Sequence, residues 1–348
     1  MTETGQGRPK ASGRAFGAVM KAVVLDGRGG IEVVEKPVPT LGPTDVLIAP
    51  RASGVCGTDL HLIDGTFGYA RYPVTPGHEF AGVVAATGRG VRRFREGDLV
   101  CVDPNVACGT CRWCRVGAPN HCPQLDPIGL TRDGSCAEYV RVPELVIHAV
   151  PDGVDMTMGA LVEPLSCVLH AASRTPDWAG SRVAVLGAGP IGLLATAVAK
   201  HLGAGEVVAF EPQPFRRELA LTLGAETAHA DAAETEGQFD IAVEASGRLS
   251  VIQRAIEMLG PRGRLLQMGV ANPDDLARVS PYQVFAKELM IIGSFSLADA
   301  YPAAVEMMPD LATLLRPLIT DQVPLSRYRD AVALLSSPTS IKVQVVPD

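Results

Sequence analysis

The sequence has 348 residues, of which 47% are hydrophobic and 20% are charged, and this length predicts about two domains. No apolar run reaches the ~18 residues of a membrane helix, so we expect no membrane segment. The formal net charge of -7, without a basic stripe, argues against a nucleic-acid surface. The polar, Gly-rich start lacks the apolar segment of a signal peptide, which predicts a disordered leader over residues 1–19 of a cytoplasmic protein.

Short β segments separated by Gly and Pro occupy the first half of the chain. They lie at residues 21–25, 31–34, 46–49, 82–85 and 98–102. Their spacing predicts a folded-over β barrel rather than parallel βαβ units.

Strands and helical stretches alternate after Pro164. Predicted strands lie at residues 182–186, 207–210, 227–230, 239–243, 264–267 and 290–293, and a last one lies in the tail at 341–345. Six strands with helices between them are the count of a doubly wound, parallel dinucleotide-binding sheet of the α/β class. We therefore expect a nucleotide domain over residues 165–296, inserted into a barrel domain built from 20–164 and 297–348.

The turn after the strand at 182–186 carries the strongest single motif, Gly187-Ala-Gly189-Pro190-Ile-Gly192. It follows a strand and opens a helix over 190–201, the context that a dinucleotide-binding turn requires. Gly187 permits the tight turn, Gly189 lets the backbone approach a pyrophosphate, and Gly192 lets helix and strand pack closely. Glu211 is placed to bind the adenosine ribose and to repel a 2′-phosphate, which favours NAD over NADP. A glycine turn that binds nothing is the alternative.

Four of the eight cysteines follow the spacing C-x2-C-x2-C-x7-C in a lobe at about 104–124. They are Cys108, Cys111, Cys114 and Cys122. Four thiolates that close around one ion fit a tetrahedral structural zinc site, which leaves no coordination position open for chemistry. A redox dithiol or a lobe without metal are the alternatives.

Three further segments offer ligands for a second metal: Cys56, the pair His78-Glu79, and Glu163. Each alone is ambiguous, because a single Cys or His is more often a packed core residue than a ligand. Together with the cysteine lobe and the glycine turn, in this order, they resemble the zinc-containing medium-chain alcohol dehydrogenases from Met20 to the C-terminus. Glu163 stands where ethanol-type members have a cysteine, so the chain is most similar to the sorbitol and polyol dehydrogenase branch.

The resemblance implies a GroES-like catalytic barrel, a Rossmann coenzyme domain and two zinc ions per chain. Cys56, His78 and Glu79 would bind the catalytic ion, and Glu163 would reach it directly or through water. The alcohol would bind this ion as an alkoxide, which pushes a hydride from its carbon to NAD.

The same resemblance assigns a proton relay. Thr58 would take the alcohol proton and pass it through the cofactor ribose towards His61, a group suited to exchange with solvent near neutral pH. Asp59 would orient His78. Ordinary loop polarity is the alternative interpretation of Thr58 and His61.

Further cofactor contacts follow from positions that match the family. Ile191 would lie on the pyrophosphate turn, and Arg216 would lie against the adenosine end, as it does in members that use NAD. The residues that would flank the nicotinamide are Met268, Gly269, Val270 and Phe295.

Two segments depart from the straight-chain sorbitol dehydrogenases. Leu62 replaces a tyrosine after the relay histidine, and Ser296-Leu297 replace an Arg-Tyr pair after Phe295. The lost groups hydrogen-bond distant hydroxyls of an open-chain polyol, so a site without them should reject sorbitol or bind it differently. A cyclic polyol, an aminocyclitol or a smaller secondary alcohol is the expected substrate.

Three other interpretations compete: a zinc-free quinone reductase of the same fold, a zinc protein that binds nucleic acid, and a catalytically silent homologue. The cysteine lobe, the net charge and the intact ligand set argue against them in turn. The last strand of the inserted sheet, at 289–295, is an apolar edge that needs cover, which predicts a homodimer or homotetramer.

Overall fold

The structure is a computed structural model that describes residues 17–233, 235 and 237–348. Most of the predicted leader, residues 1–16, lies outside the described residues. Val19, the leader's last residue, is already part of the first strand. In the described part of the chain, no helix has the length and apolar character needed to cross a membrane.

The strands and helices have the following bounds. The strands are β1 (Val19–Leu25), β2 (Ile31–Pro37), β3 (Asp45–Gly54), β4 (Glu79–Thr87), β5 (Leu99–Val102), β6 (Val140–Pro143), β7 (Ile147–Ala149), β8 (Arg182–Leu186), β9 (Glu206–Phe210), β10 (Thr227–His229), β11 (Phe239–Glu244), β12 (Leu259–Gln267), β13 (Met290–Gly293), β14 (Ile319–Pro324) and β15 (Lys342–Val346). The α-helices are α1 (Gly57–Ile63), α2 (Arg112–Arg115), α3 (Met156–Gly159), α4 (Val162–Ser173), α5 (Pro190–His201), α6 (Pro214–Thr222), α7 (Leu249–Glu257), α8 (Pro281–Lys287), α9 (Tyr301–Leu315) and α10 (Tyr328–Leu334).

β3 is the central strand of the barrel sheet. The strand order is β14-β15-β3-β4-β5-β7, and β6 pairs with β3 off this path. β3 runs antiparallel to both β4 and β15, which brings Gly54 opposite Glu79 on one side and opposite Gln344 on the other. The predicted barrel is confirmed, and the C-terminal strand β15 completes it.

β8 lies inside a second sheet whose strands are all parallel. The strand order is β10-β9-β8-β11-β12-β13. From β8, the first of these strands along the chain, the sheet extends in both directions, as in a doubly wound dinucleotide-binding fold. The predicted strands of this sheet are confirmed, although β12 begins at Leu259 rather than at residue 264. Gly260, Pro261 and Gly263 are residue types typical of turns. They instead form the irregular first half of the strand, where its register with β11 shifts.

One hydrophobic core joins the two sheets. Helix α4 packs against α5 and α9. Their shared core contains Cys101 from the barrel, Leu193 from α5 and Tyr301 from α9, each completely buried. This packing holds the barrel against the nucleotide sheet, so residues from both can contribute to one site.

Candidate active site and metal centres

The four cysteines of the lobe converge as their spacing predicts. The sulfur atoms of Cys108, Cys111, Cys114 and Cys122 all lie within 4.8 Å of one another. Cys114 Sγ is 3.5 Å from Cys111 Sγ and 4.0 Å from Cys108 Sγ. Thiolates bound at about 2.3 Å to a tetrahedral zinc would stand about 3.8 Å apart, so these sulfurs fit one ion.

Cys56, His78 and Glu79 form a second cluster, with their ligand atoms also within 4.8 Å of one another. Cys56 follows β3 and is the N-cap residue of α1, while His78 directly precedes the first residue of β4, Glu79. Gly54 lies opposite Glu79, and a Cβ there would stand 2.0 Å from Glu79 Oε2, so a side chain at this position would displace the Glu79 carboxylate. A thiolate, an imidazole and a carboxylate are donors that zinc accepts, so the residues fit a catalytic ion.

The second cluster lies in a buried region of negative potential. His78 is 6% exposed and Glu79 is 2% exposed. Burial alone would lower the pKa of His78, but Cys56, Asp59 and Glu163 raise it to about 10. A potential that favours a cation so strongly at this place also favours a divalent metal ion.

Glu163 stands beside this cluster, in the first turn of α4, and is 7% exposed. Burial raises its pKa to about 7. The thiol of Cys167, one helical turn on, donates to Glu163 Oε1 over 3.8 Å. Glu163 is not among the residues whose ligand atoms all lie within 4.8 Å of one another. Its contact with the ion, direct or through water, stays a prediction.

Thr58 and His61 lie on helix α1 rather than in a loop. The Cys56 thiol donates to Thr58 Oγ1 over 3.6 Å, which holds this hydroxyl beside the second cluster. His61 is exposed, and its Nδ1 forms a 2.9 Å hydrogen bond with Thr66 Oγ1. The helix therefore carries one polar group near the cluster and one at the protein surface.

Asp59 belongs to the same helix, in its first turn, and is 1% exposed. Its Oδ2 accepts a 2.8 Å hydrogen bond from the backbone N–H of Cys56. Within the described residues, neither Asp59 Oδ1 nor His78 Nδ1 has a hydrogen-bond partner. The predicted orientation of His78 by Asp59 therefore stays a prediction.

The glycine turn leads from β8 into α5, with Gly189 as the N-cap residue and Pro190 as the first helical residue. Gly187 has φ +96°, and a Cβ on Gly192 would lie 1.8 Å from Gly187 O, so both positions require glycine for the fold itself. Gly189 differs, because a Cβ there would meet no atom of the described chain within 4 Å. The fold therefore leaves open space in front of Gly189, and this space fits a pyrophosphate at the helix N-terminus.

Glu211 and Arg216 border a cleft of about 760 Å³ beside the glycine turn. Glu211 is 6% exposed, and its carboxylate accepts hydrogen bonds from the backbone N–H groups of Ala188 at 2.8 Å and Gln213 at 3.0 Å. Arg216 lies on α6, and its Nη2 donates to Ser340 O over 3.3 Å. The cleft therefore has a carboxylate next to the turn, where an adenosine ribose would lie.

The predicted nicotinamide contacts lie at the ends of the next strands. Met268, Gly269 and Val270 follow β12, and Phe295 follows β13. Val270 is 88% exposed and Phe295 is 50% exposed. Ile191 is in the first turn of α5, so the predicted cofactor residues share the carboxyl edge of the parallel sheet, where ligands of such folds bind.

Comparison with known proteins identifies the family. Residues 42–152 match the alcohol dehydrogenase GroES-like domain, and residues 190–310 match the zinc-binding dehydrogenase domain. A sorbitol dehydrogenase of Bacillus subtilis is 33% identical over 345 residues, which cover 94% of this chain and 98% of that protein. The chain belongs to the zinc-containing medium-chain alcohol dehydrogenases, polyol branch.

Other relatives of this dehydrogenase carry different substrate and cofactor names. An L-threonine 3-dehydrogenase of Streptomyces avermitilis is 36% identical over 343 residues, covering 93% of this chain and 98% of that protein. A zinc-binding dehydrogenase of Sinorhizobium meliloti, solved with NADP bound, superimposes with a TM-score of 0.91 at 33% identity. That similarity covers 95% of this chain and 100% of the other. Membership in the family therefore fixes the reaction class but not the alcohol or the choice between NAD and NADP.

The structure shows where the residues lie that depart from the straight-chain sorbitol dehydrogenases, namely Leu62, Ser296 and Leu297. Leu62 is completely buried in a barrel core with Val23 and Leu25, and Leu297 is completely buried in the core shared with Tyr301. Neither leucine reaches open space, and neither supplies a hydrogen-bonding group, so the expected effect on substrate choice stays a prediction. Ser296 is half-buried in the turn after β13.

Sequence reasoning missed Lys342, the buried partner of Glu79. Its Nζ lies 2.7 Å from Glu79 Oε1 and 2.6 Å from Glu79 Oε2, and the residue is 3% exposed. Burial alone would lower the pKa of Lys342, but the attraction of Glu79 keeps it above its ordinary value. A lysine inside a largely apolar strand was the available signal, because a buried charge needs a partner.

Glu244 was also missed. It ends β11, is completely buried, and accepts hydrogen bonds from the backbone N–H groups of Ser246 at 2.8 Å and Gly247 at 3.1 Å. Gln267 Nε2 donates to its other oxygen over 2.8 Å. Glu244 thus ties the turn after β11 to the end of β12, and it stabilises the edge on which the nicotinamide contacts are predicted.

Proposed function

We propose that this dehydrogenase oxidises a secondary alcohol of a polyol, cyclitol or aminocyclitol to a ketone, with NAD as the hydride acceptor. The observation that carries the proposal is the buried cluster of Cys56, His78 and Glu79 beside the helix that bears Thr58 and His61. The open space in front of Gly189 supports a nucleotide at the neighbouring sheet edge. Both features belong to one core, which favours chemistry between an alcohol and a nicotinamide.

We assign two zinc ions to each chain. One belongs to Cys56, His78 and Glu79, with Glu163 reaching it directly or through water, and the other belongs to the four cysteines of the lobe. When bound, the first zinc supplies a Lewis acid that makes an alcohol proton easier to remove. Metal analysis of the purified protein should find two zinc ions per chain, and a value of one or none would contradict this assignment.

We assign the proton path to helix α1. Thr58 Oγ1 takes the proton of the alcohol, and His61, at the exposed end of the same helix, exchanges it with solvent. Thr58→Val has nearly the same shape without a hydroxyl, and we expect kcat to fall by about 100-fold or more. Thr58→Ser restores the hydroxyl and should keep most of the turnover. Equal rates in Thr58→Val and Thr58→Ser would rule out this path.

We assign NAD as the preferred cofactor because the Glu211 carboxylate would repel a 2′-phosphate at the ribose. Glu211→Gln keeps the shape and removes the charge, so the ratio of kcat/KM for NAD over NADP should fall. The measurement is a comparison of both cofactors at a saturating alcohol concentration. Preference of the unmodified enzyme for NADP would contradict the assignment.

The substrate class is tested with a panel of straight-chain polyols, cyclitols, aminocyclitols and simple secondary alcohols, followed by NADH formation with zinc-replete protein. We expect a cyclic or small substrate to react faster than sorbitol or xylitol, because Ser296 offers no bidentate partner for distant hydroxyls. Efficient sorbitol oxidation would refute the argument from Ser296. A simple secondary alcohol or diol is the second candidate, because Leu62 and Leu297 offer no hydrogen-bonding group for additional hydroxyls. Silence across the panel, with NAD bound, would indicate a specialised substrate or a catalytically silent homologue.

We infer a homodimer paired through β13, or a homotetramer built from two such dimers. β13 is the edge strand of the nucleotide sheet, and its residues Met290 and Ile291 are 53% and 50% exposed. An apolar edge of this kind needs cover by another chain. Light scattering should report an oligomer that Ile291→Lys weakens, and a monomeric unmodified protein would contradict the inference.

We assign residues 20–164 and 297–348 to the catalytic domain, residues 165–296 to the NAD-binding domain and about 104–124 to the lobe. The return of β15 to the barrel sheet supports this division. We also place the protein in the cytoplasm. The eight cysteines are all free, which suits a reducing compartment.

A further inference from the structure

The turn at residues 295–299 connects the last strand of the nucleotide sheet to helix α9. It contains two non-glycine residues in the left-handed region, Ser296 with φ +57° and Ala298 with φ +48°. L-residues adopt this conformation only where the surrounding structure imposes it. The 295–299 turn is therefore held in place by its neighbours.

The cysteine lobe supplies several of those neighbours. Asn120 Nδ2 donates a 3.0 Å hydrogen bond to Phe295 O, and Asn105 Nδ2 donates to Ser296 Oγ over 3.4 Å. The ring of His121 packs against the ring of Phe295 with centroids 5.9 Å apart. One face of the turn thus rests on side chains of the lobe.

Asn120 is the best-placed of these side chains. It lies in the 3-10 helix Pro119–His121, two residues before Cys122, and it is 6% exposed. Its Oδ1 has no hydrogen-bond partner among the described residues, so the contact to Phe295 O is the bond on which its placement depends. Cys122 links this backbone to the cysteine cluster, because its backbone N–H donates to Pro119 O over 2.9 Å and its Sγ accepts from the backbone N–H of Cys108 over 3.5 Å.

We propose that Asn120 is a positioning residue, through which the metal lobe sets the turn that borders the nicotinamide. This inference rests on the proposed function for the place of the nicotinamide at Phe295. The lobe then does more than stabilise the fold: it fixes the Phe295 carbonyl and ring against which the reacting end of the cofactor lies. Loss of this contact should affect the nicotinamide end of the nucleotide and leave the adenosine end, at Glu211, unchanged.

The test compares two ligands by titration with purified, zinc-replete protein: NADH, and ADP-ribose, which lacks the nicotinamide. We expect Asn120→Ala to weaken NADH binding by about 10-fold, the effect of one lost hydrogen bond and a displaced turn, with ADP-ribose affinity unchanged. The matched control is Arg115→Ala, because Arg115 is an exposed lobe residue whose side chain makes no hydrogen bond to the turn within the described residues, and it should alter neither affinity. Unchanged NADH binding in Asn120→Ala, or an equal loss for both ligands, would overturn the proposal.

A rescue variant separates positioning from general damage to the lobe. Glycine adopts positive φ without strain, so Asn120→Ala/Ala298→Gly should recover part of the NADH affinity, because the turn no longer needs the lobe to hold its shape. If Asn120→Ala loses zinc or fails to fold, Asn105→Ala gives the same test with an expected loss of about threefold, and no loss there refutes the proposal.

The binding readout does not depend on turnover. An unmodified protein that shows the expected NADH and ADP-ribose pattern but oxidises no alcohol would overturn the proposed function and leave the role of Asn120 standing. An enzyme that oxidises an alcohol but whose NADH affinity is unchanged in Asn120→Ala would support the proposed function and overturn the role of Asn120.

Discussion

Replacement of Gly189 by alanine separates cofactor binding from folding. Gly189 has φ -74° and ψ -177°, which alanine adopts without strain, and an added Cβ meets no atom of the described residues within 4 Å. Alanine restricts the unfolded chain, which stabilises a protein by about 0.4–1 kcal/mol, but it is a poorer N-cap than glycine by a similar amount. We expect the free energy of unfolding of Gly189→Ala to change by less than about 1 kcal/mol.

The same methyl group would occupy the space in front of the helix N-terminus, where the pyrophosphate approaches the backbone N–H groups. Loss of one hydrogen bond to a charged group costs about 1.5–3 kcal/mol. This corresponds to a Kd for NADH that is about 10- to 100-fold higher. The effect on binding should therefore greatly exceed the effect on stability.

Gly192→Ala is the contrasting variant, because its Cβ would lie 1.8 Å from Gly187 O. The backbone must move to relieve this overlap, and overpacking of this kind costs about 1–3 kcal/mol or more. The assay is NADH fluorescence titration together with denaturant unfolding of both variants and the unmodified protein. Normal NADH affinity in Gly189→Ala, or a loss of stability equal to that of Gly192→Ala, would refute the reasoning.

Three further predictions concern buried charges and the metal lobe. In zinc-free protein, Lys342→Met leaves the buried Glu79 carboxylate without a cationic partner and should lower the free energy of unfolding by about 3–5 kcal/mol, whereas Lys342→Met/Glu79→Gln should recover most of it; denaturant titration of both variants measures this. Cys111→Ser should reduce zinc from two ions to one per chain by metal analysis, while Cys136→Ser, outside both clusters, should retain two. Burial raises the pKa of Asp103 to about 7, so the folded chain holds a proton that the unfolded chain releases above about pH 4. Stability therefore falls as the pH rises through this window, and Asp103→Asn should be more stable than the unmodified protein at about pH 8 but similar at about pH 4, by the same titration.

Most of the fold was predictable because its signals are local. The strands of the nucleotide sheet are short apolar segments between helices, and the glycine turn has its own steric requirements at Gly187 and Gly192. The start of β12 was not predictable, because Pro261 and its neighbouring glycines indicate a turn, whereas pairing with β11 holds this segment extended. Leu62 and Leu297 were interpreted as pocket positions, and only packing shows that both are core residues.

The sequence alone determined the donor chemistry of this protein. Cysteine spacing is a local property, so Cys108 to Cys122 predict a metal lobe, and Cys56, His78 and Glu79 are residue types that zinc accepts as donors. The tertiary structure decided which distant residues complete these sites. Lys342 lies 263 positions from Glu79, and Asn120 lies 175 positions from Phe295. Contacts over such separations arise when sheets and helices pack around a common core, and that packing leaves no periodic signal in either segment of the chain.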